Sequence, residues 1–268
     1  MLILGASGFL GHSLYKELSP YFDVYGTYRT DNLQNDKNKR LFQWDLETET
    51  VSILLEELQP DIIISALRGN FEAQIHTHFE IIAYIIERQR KLIFLSSANV
   101  FDTFTNYPSY EYDKTLSQSI YGRFKIKIEN ALLRLPNELY NIVRLPMIYG
   151  HKSPRIRALK LQHELREPIE VFPNVVINAT THDKFSQQLH YIINRELKGV
   201  FHLGSQNLIH HKELIEDILD GLKLENPILK NVYDSNDDRY IAVLPKDNLL
   251  PKNLQFTVED VIQDSIKV

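Results

Sequence analysis

Tyr121 and Lys125 stand four residues apart in Tyr121-Gly122-Arg123-Phe124-Lys125, so on a helix both side chains share one face. A phenol is a poor acid at neutral pH unless its phenolate is stabilised, and a nearby ammonium does that. The pair is a candidate for proton transfer. Spacing alone is a weak signal: chance gives about one such pair in a chain of this composition, and Tyr110 and Lys114 form a second. Three features favour Tyr121. It opens an amphipathic stretch at residues 121–135, whereas Tyr110 follows Pro108 among turn formers. It comes far enough after Ser96 and Ser97 for the chain to fold back. Ser97 follows the apolar run Leu92-Ile93-Phe94-Leu95, so its hydroxyl emerges at the carboxyl edge of a strand, where α/β proteins bind ligands. There it could hydrogen-bond a substrate oxygen.

The first eleven residues offer phosphate chemistry. Leu2, Ile3 and Leu4 read as a short buried strand running into Gly5, Gly8 and Gly11, after which Leu10, Leu14 and Leu18 fall at helical spacing. Strand, glycine turn and helix form the context that a dinucleotide-binding loop requires. Gly5 suits the tight turn, Gly8 lets the backbone approach a pyrophosphate, and Gly11 lets helix and strand pack closely. The helix N-terminus presents N–H groups and a positive dipole end to the phosphates. An acid at the end of the second strand would grip the ribose of NAD. The residues there are Tyr28-Arg29-Thr30, and an arginine suits the 2′-phosphate of NADP. The expected cofactor is NADP(H), with NAD(H) as the alternative.

These side chains need a frame. Strand and helix signals alternate through the first half, which predicts βαβ units and a parallel sheet. Strands are predicted at 22–28, 41–44, 61–66, 91–97 and 141–145, and helices at 51–58, 71–90 and 121–135. Residues 30–39 read as a polar loop, and 99–119 as a loop too long and too aromatic to be mere connection. Beyond Gly150 the alternation stops. Pro154, Pro168 and Pro173 interrupt a basic helical stretch, and a strand at 199–204 returns to the sheet. Helices follow at 212–222 and 258–266, the latter with Thr257 and Asp260 as a capping box. Arg155 and Arg157 lie in a basic run at 151–166, which reads either as a clamp for a pyrophosphate or as a solvated helix face.

Bulk composition removes several function classes. A formal charge of -5 over 268 residues argues against a nucleic-acid surface, and the absence of cysteine excludes thiolate chemistry and disulfides. No apolar run approaches the roughly 20 residues of a membrane span. The chain opens on a strand with no room for a signal peptide, so a cytoplasmic protein is expected. His76-x-His78 and His210-His211 lack both a shared helix face and a carboxylate cluster, so no metal centre is expected.

Taken together, Gly5-x-x-Gly8-x-x-Gly11, Ser97-Ala98-Asn99-Val100-Phe101, Tyr121-x-x-x-Lys125 and residues 143–150 (Val-Arg-Leu-Pro-Met-Ile-Tyr-Gly) resemble the extended short-chain dehydrogenase/reductases. Residues 96–102 and the 199–204 strand look most like dTDP-4-dehydrorhamnose reductases and related nucleotide-sugar enzymes. The resemblance implies an α/β fold: a Rossmann-type doubly wound parallel sheet over 1–150, and a smaller, interleaved C-terminal substrate-binding lobe over 151–268. It implies Ser97, Tyr121 and Lys125 as the catalytic triad, with Lys125 also bonding the nicotinamide ribose. The implied cofactor set begins with Gly5, Ser7, Gly8, Phe9, Leu10 and Gly11. It continues with Tyr28 and Arg29, Asp45 and Leu46 near the adenine, and Ala66, Leu67 and Arg68. Ser96, Tyr121, Lys125, Arg144 and Pro146 complete it. Asn99, Arg155 and Arg157 are the implied substrate contacts, and a nucleotide sugar the implied partner; a homodimer is compatible. The family usually carries an asparagine on the helix before the fifth strand. Residues 71–90 contain none, and Gln74 is nearest that place. Leu67 and Arg68 are bulkier than the small residues usual after the fourth strand. The activity implied is NADPH-dependent reduction of a nucleotide-linked 4-keto-6-deoxy sugar with Tyr121 as proton donor. The alternatives are an epimerase or dehydratase of the same family, or a non-catalytic NADP-binding regulatory protein.

Overall fold

The computed structural model describes residues 1–30, 38–233 and 235–267. The strands β1 (Leu2–Leu4), β2 (Tyr25–Tyr28), β3 (Leu41–Gln43), β4 (Ile62–Ser65), β5 (Lys91–Ser97) and β6 (Tyr140–Leu145) alternate with helices. These are α1 (Phe9–Leu18), α2 (Val51–Leu58), α3 (Phe71–Arg88) and α4 (Ile120–Leu132). Then follow β7 (Met147–Tyr149), α5 (Pro154–Glu164), β8 (Ile169–Val171), β9 (Val175–Ile177), β10 (Ala179–Thr181), α6 (His182–Asn194) and β11 (Gly199–His202). The chain closes with β12 (Ile209–His210), α7 (His211–Gly221), β13 (Leu229–Asn231), β14 (Arg239–Ile241) and α8 (Val258–Ser265). A seven-stranded sheet runs β11-β6-β5-β4-β1-β2-β3. β1 pairs in parallel with β2 and β4, β2 with β3, and β4 with β5. The fold is a Rossmann-type α/β sheet with flanking helices. Its strand order reverses between β1 and β4, and the crevice at the carboxyl ends there is where such sheets bind ligands.

The chain forms two compact units. The first holds Met1–Ser96, Ser119–Val143 and Leu189–Val200. Its core is built on β1, β4 and β5, with Leu2, Leu4, Ile63, Leu92 and Phe94 buried against Ile81 and Ile85 of α3 and Ile128 of α4. Runs such as Ile62-Ile63-Ile64 are what a strand covered on both faces requires. Asn70 starts α3 by accepting the N–H groups of Glu72 and Ala73, and Ser119 starts α4 by accepting that of Gly122. The second unit holds Ser97–Gln118, Arg144–Gln188 and Phe201–Val268. Its core gathers Tyr149, Ile156, Val171, Ile177, Leu214, Ile218 and Val261. There β7 pairs with β10, β9 with β12 and β14, and β8 with β13. None of the described helices is long and apolar enough to cross a membrane.

Several boundaries differ from the sequence expectation. β2 starts at Tyr25 rather than at 22. α3 stops at Arg88 instead of 90 because Gln89 adopts a left-handed φ of 52°. α4 ends at Leu132, not 135, ahead of Pro136. Pro154 begins a helix instead of interrupting one: it occupies the first turn of α5, where a missing N–H costs nothing, behind Ser153 as cap. α6 and the strands β7–β10 and β12–β14 are absent from the expectation; the strands, of two or three residues, carry no readable period. The Thr257–Asp260 capping box is present. Of the polar loop at 30–39, residues 31–37 lie outside the described residues.

The tightest joint is between β1 and α1. A Cβ placed on Gly11 would lie 2.1 Å from the carbonyl oxygen of Gly5, so the first turn of the helix rests directly on the strand end. Gly11→Ala is therefore expected to lower stability by about 1–3 kcal/mol, read as a reduced urea midpoint with an unchanged m-value.

Candidate functional site

Gly5 turns the chain at the end of β1 with φ +81°, a value that L side chains rarely adopt, and a Cβ there would lie 2.9 Å from the carbonyl oxygen of Ala66. Its N–H donates to Thr27 Oγ1 at 2.8 Å, and its carbonyl accepts the N–H of Gly8 at 3.0 Å. Gly8 is the N-cap of α1 and brings no side chain to the first turn. A Cβ on Gly8 would press on Gly5 O, at 3.2 Å. The turn is thus closed on its protein side by Gly5 and Gly11, with a helix N-terminus above it. This is a cradle that fits an anionic dinucleotide.

Around this cradle, Tyr28 is buried at the end of β2 and Arg29 follows it, exposed and 3.6 Å from Glu47. An ion pair this exposed is worth about 0–1 kcal/mol, too little to hold Arg29 from a phosphate. The Asp45 carboxylate accepts the N–H of Glu47, making it a turn former, and Leu46 packs on the first core. Ala66 is half-buried, Leu67 leans on the same core and Arg68 is exposed. Ser96 Oγ is buried and has no hydrogen-bond partner among the described residues.

Tyr121 lies in the first turn of α4, partly exposed, with its ring against Phe71 and Phe124. One turn on, Lys125 is buried. Its Nζ donates to the carbonyl oxygen of Leu95 at 2.8 Å and lies 5.7 Å from the centre of the Tyr121 ring. The Phe94 and Phe124 rings surround the ammonium at 4.7 and 4.9 Å. Burial pulls the Lys125 pKa down to about 7, against the buried Glu129, whose charge pushes it up. The strand carbonyl that seats the lysine is two residues before Ser97. In the second unit, Ser97 Oγ donates to Asn99 Oδ1 at 3.0 Å and accepts the N–H of Asn99 at 3.3 Å. Tyr110 and Lys114 share no helix, and Lys246 instead covers the Tyr110 ring at 5.3 Å.

The remaining expected contacts lie in the second unit. Arg144 is buried, donating from Nη1 to Glu111 O at 2.8 Å and lying 4.8 Å from the Phe101 ring, which ties both residues to β6. Pro146 packs against Gly204. Arg155 and Arg157 are exposed on α5, and Arg155 lies over the Tyr149 ring. Two buried polar groups beside this site have no site role in the sequence expectation: His78 of α3, bonded to Ser65 at 2.8 Å, and Glu129. A clue to His78 was available: it stands one helical turn beyond Gln74 in an apolar stretch.

A family model for the RmlD substrate binding domain matches residues 1–245. The chain belongs to that family. The resemblance to the extended short-chain dehydrogenase/reductases is thereby borne out. Among curated proteins, the chain is similar to a dTDP-4-keto-6-deoxy-D-glucose reductase of Streptomyces niveus, 32% identical over 124 residues. That match spans 46% of this chain and 43% of the reductase, less than half of either. It is also similar to methionine adenosyltransferase 2 subunit beta of Bos taurus, 23% identical over 258 residues, covering 88% of this chain and 75% of that one. Among solved structures, a dTDP-4-dehydrorhamnose reductase from Bacillus anthracis in complex with NADP superposes with a TM-score of 0.79 at 19% identity, covering 98% and 96% of the two chains. The UDP-glucose 4-epimerase of Thermus thermophilus in complex with NAD gives 0.78 at 14%, covering 99% and 97%. At these identities the likeness is one of fold. RmlD-like folds thus occur with either nicotinamide dinucleotide.

The seat of Lys125 has a measurable cost. Because its folded pKa lies near 7 and its unfolded value near 10.5, the unfolded chain binds more protons between those values. Stability from this group therefore rises as pH climbs from 7 toward 10.5, and the full cost of the buried charge is felt below pH 7. Relative to Lys125→Met, the wild-type protein is expected to gain about 1 kcal/mol per pH unit between pH 7.5 and 9, measured by urea unfolding; parallel curves would contradict the burial.

Proposed function

We propose that this member of the RmlD family is an NADP-dependent reductase of a nucleotide-linked 4-keto-6-deoxy sugar. The observation that carries the reading is the buried Lys125 beside Tyr121, in the same compact unit as the Gly5–Gly8–Gly11 cradle. When bound, a reduced nicotinamide supplies the hydride for carbonyl reduction. The Gly5–Gly11 turn would hold the pyrophosphate on the N-terminus of α1, and Arg29 the 2′-phosphate. The Tyr121 hydroxyl would give its proton to the carbonyl oxygen, with Ser97 hydrogen-bonding that oxygen and Lys125 stabilising the phenolate left behind. Arg155 and Arg157, in the segment beyond residue 150, would grip the nucleotide diphosphate. The similarity to reductases of 4-keto-6-deoxy sugars supports this substrate class.

A second reading has its own support. It is the non-catalytic, dinucleotide-binding regulatory protein: the match to a protein named as a subunit of methionine adenosyltransferase extends over 258 residues, about twice the 124 of the match to the reductase. Incubation with NADPH and a panel of nucleotide-linked 4-keto-6-deoxyhexoses separates the readings. Stoichiometric NADPH loss with one sugar supports the reductase; bound but unconsumed NADPH, with the sugars unchanged, supports the binding protein. A converted sugar without NADPH loss would mark an epimerase.

Under the reductase reading, Tyr121→Phe is expected to lower kcat by about 10²–10⁴-fold, the usual contribution of a positioned proton donor, with NADPH affinity retained. Arg29→Ala is expected to weaken NADPH binding about tenfold while leaving NADH unaffected, in fluorescence titrations with the two cofactors.

A further inference from the structure

The segment from Ser65 to Asn70 leaves the carboxyl end of β4 and runs beside the glycine turn. Its start is fixed by the Ala66 N–H, which donates to Leu4 O at 3.0 Å, and its end by Asn70, the cap of α3. Between these points it carries the bulky Leu67 and Arg68. Two buried polar side chains of α3 reach it. Gln74 donates from Nε2 to the carbonyl oxygen of Gly69 at 3.0 Å. His78, fully enclosed, places Nε2 2.8 Å from Ser65 Oγ and Nδ1 2.6 Å from the carbonyl oxygen of Gln74. A carbonyl only accepts, so Nδ1 carries the proton, and Nε2 accepts from the serine hydroxyl. Burial drives the His78 pKa down to about 3, which keeps this arrangement intact across the physiological range.

His78 reaches further. Its ring meets Phe94 and Phe124 edge-on, at 5.0 and 6.5 Å, and these are two of the rings around the Lys125 ammonium. One residue therefore braces both the strand end beside the glycine turn and the seat of the lysine. Buried polar side chains are costly unless fully bonded, and an apolar pair would pack α3 on β4 at least as well. The bonds formed here go to the 65–70 segment.

We propose that Gln74 and His78, one helical turn apart on α3, are positioning residues that hold the 65–70 segment in the shape that receives the dinucleotide. This rests on the dinucleotide reading given above. Hydrogen exchange at amides 66–70 in protein free of dinucleotide, and NADPH affinity by fluorescence, test it in Gln74→Met, Ser65→Ala, His78→Phe and the Ser65→Ala/His78→Phe double variant. Exchange in the segment is expected to rise about tenfold in each single variant and the NADPH Kd to rise by a similar factor. The double variant should be no worse than the poorer single one, since both lose the same bond. Ser65→Ala is the mildest change and keeps the His78 ring in place. Ile218→Val in the second core, a control for general loss of stability, should move neither readout. Unchanged exchange in the folded variants, or additive effects, would overturn the clamp. Raised exchange with an unchanged Kd would overturn its role toward the dinucleotide. Wild-type protein that bound neither NADPH nor NADH would instead overturn the dinucleotide reading, and the exchange data would still decide the clamp.

Discussion

An ammonium held out of water is the constraint on which the first unit depends. Lys125 Nζ has a backbone carbonyl, that of Leu95, and a wall of aromatic rings in place of solvent. Removing a charge from water is costly, and the lowered pKa is the signature of that cost. The apolar burial along β4, β5, α3 and α4 offsets it, and a stable sheet needs no such lysine. A group retained at a cost to stability is a mark of function. Tyr121 shares the helix face, stays partly exposed and has its ring centre 5.7 Å from the Lys125 Nζ.

The same unit solves a second electrostatic problem at its opposite sign. The turn from β1 into α1 is closed so tightly that neither Gly5 nor Gly11 can carry a side chain, and the N-cap, Gly8, contributes none. That geometry suits a phosphate, and it stands where the strand order reverses. Both devices depend on the register of the parallel sheet: Gly5 abuts Ala66 at the end of β4, and Lys125 is anchored on β5, the next strand. The second unit, taken by itself, carries Ser97 and Asn99 bonded to each other and Arg155 and Arg157 exposed on α5.

Much of the sheet could be read in the sequence because β-branched runs and glycine punctuation are local signals. β5 and α2 fall where the spacing places them, and Tyr121 and Lys125 share a helix face as their separation requires. Helix ends were harder to place: Gln89 takes a left-handed conformation that no composition rule assigns to glutamine. The short strands after Gly150 are defined by partners far along the chain, so no window of sequence contains them. In sequence, His78 stands out only as a poor candidate metal ligand. Its partner, Ser65, lies thirteen residues back on another element, and only the fold joins the two. Arg144 belongs to a conspicuous motif, yet its contacts with Glu111 and Phe101 become visible only once the 97–118 segment is in place.

The most direct test of this account is the ionisation of Lys125 itself. Protein carrying ¹³C-labelled lysine can be titrated while following the Cε resonance that disappears in Lys125→Met. An apparent pKa of about 7 is expected for that resonance. A value near that of an ordinary exposed lysine, about 10.4, would mean that the ammonium sits in water. The buried seat on Leu95, and the support it lends to the proposed Tyr121–Lys125 pair, would then be wrong.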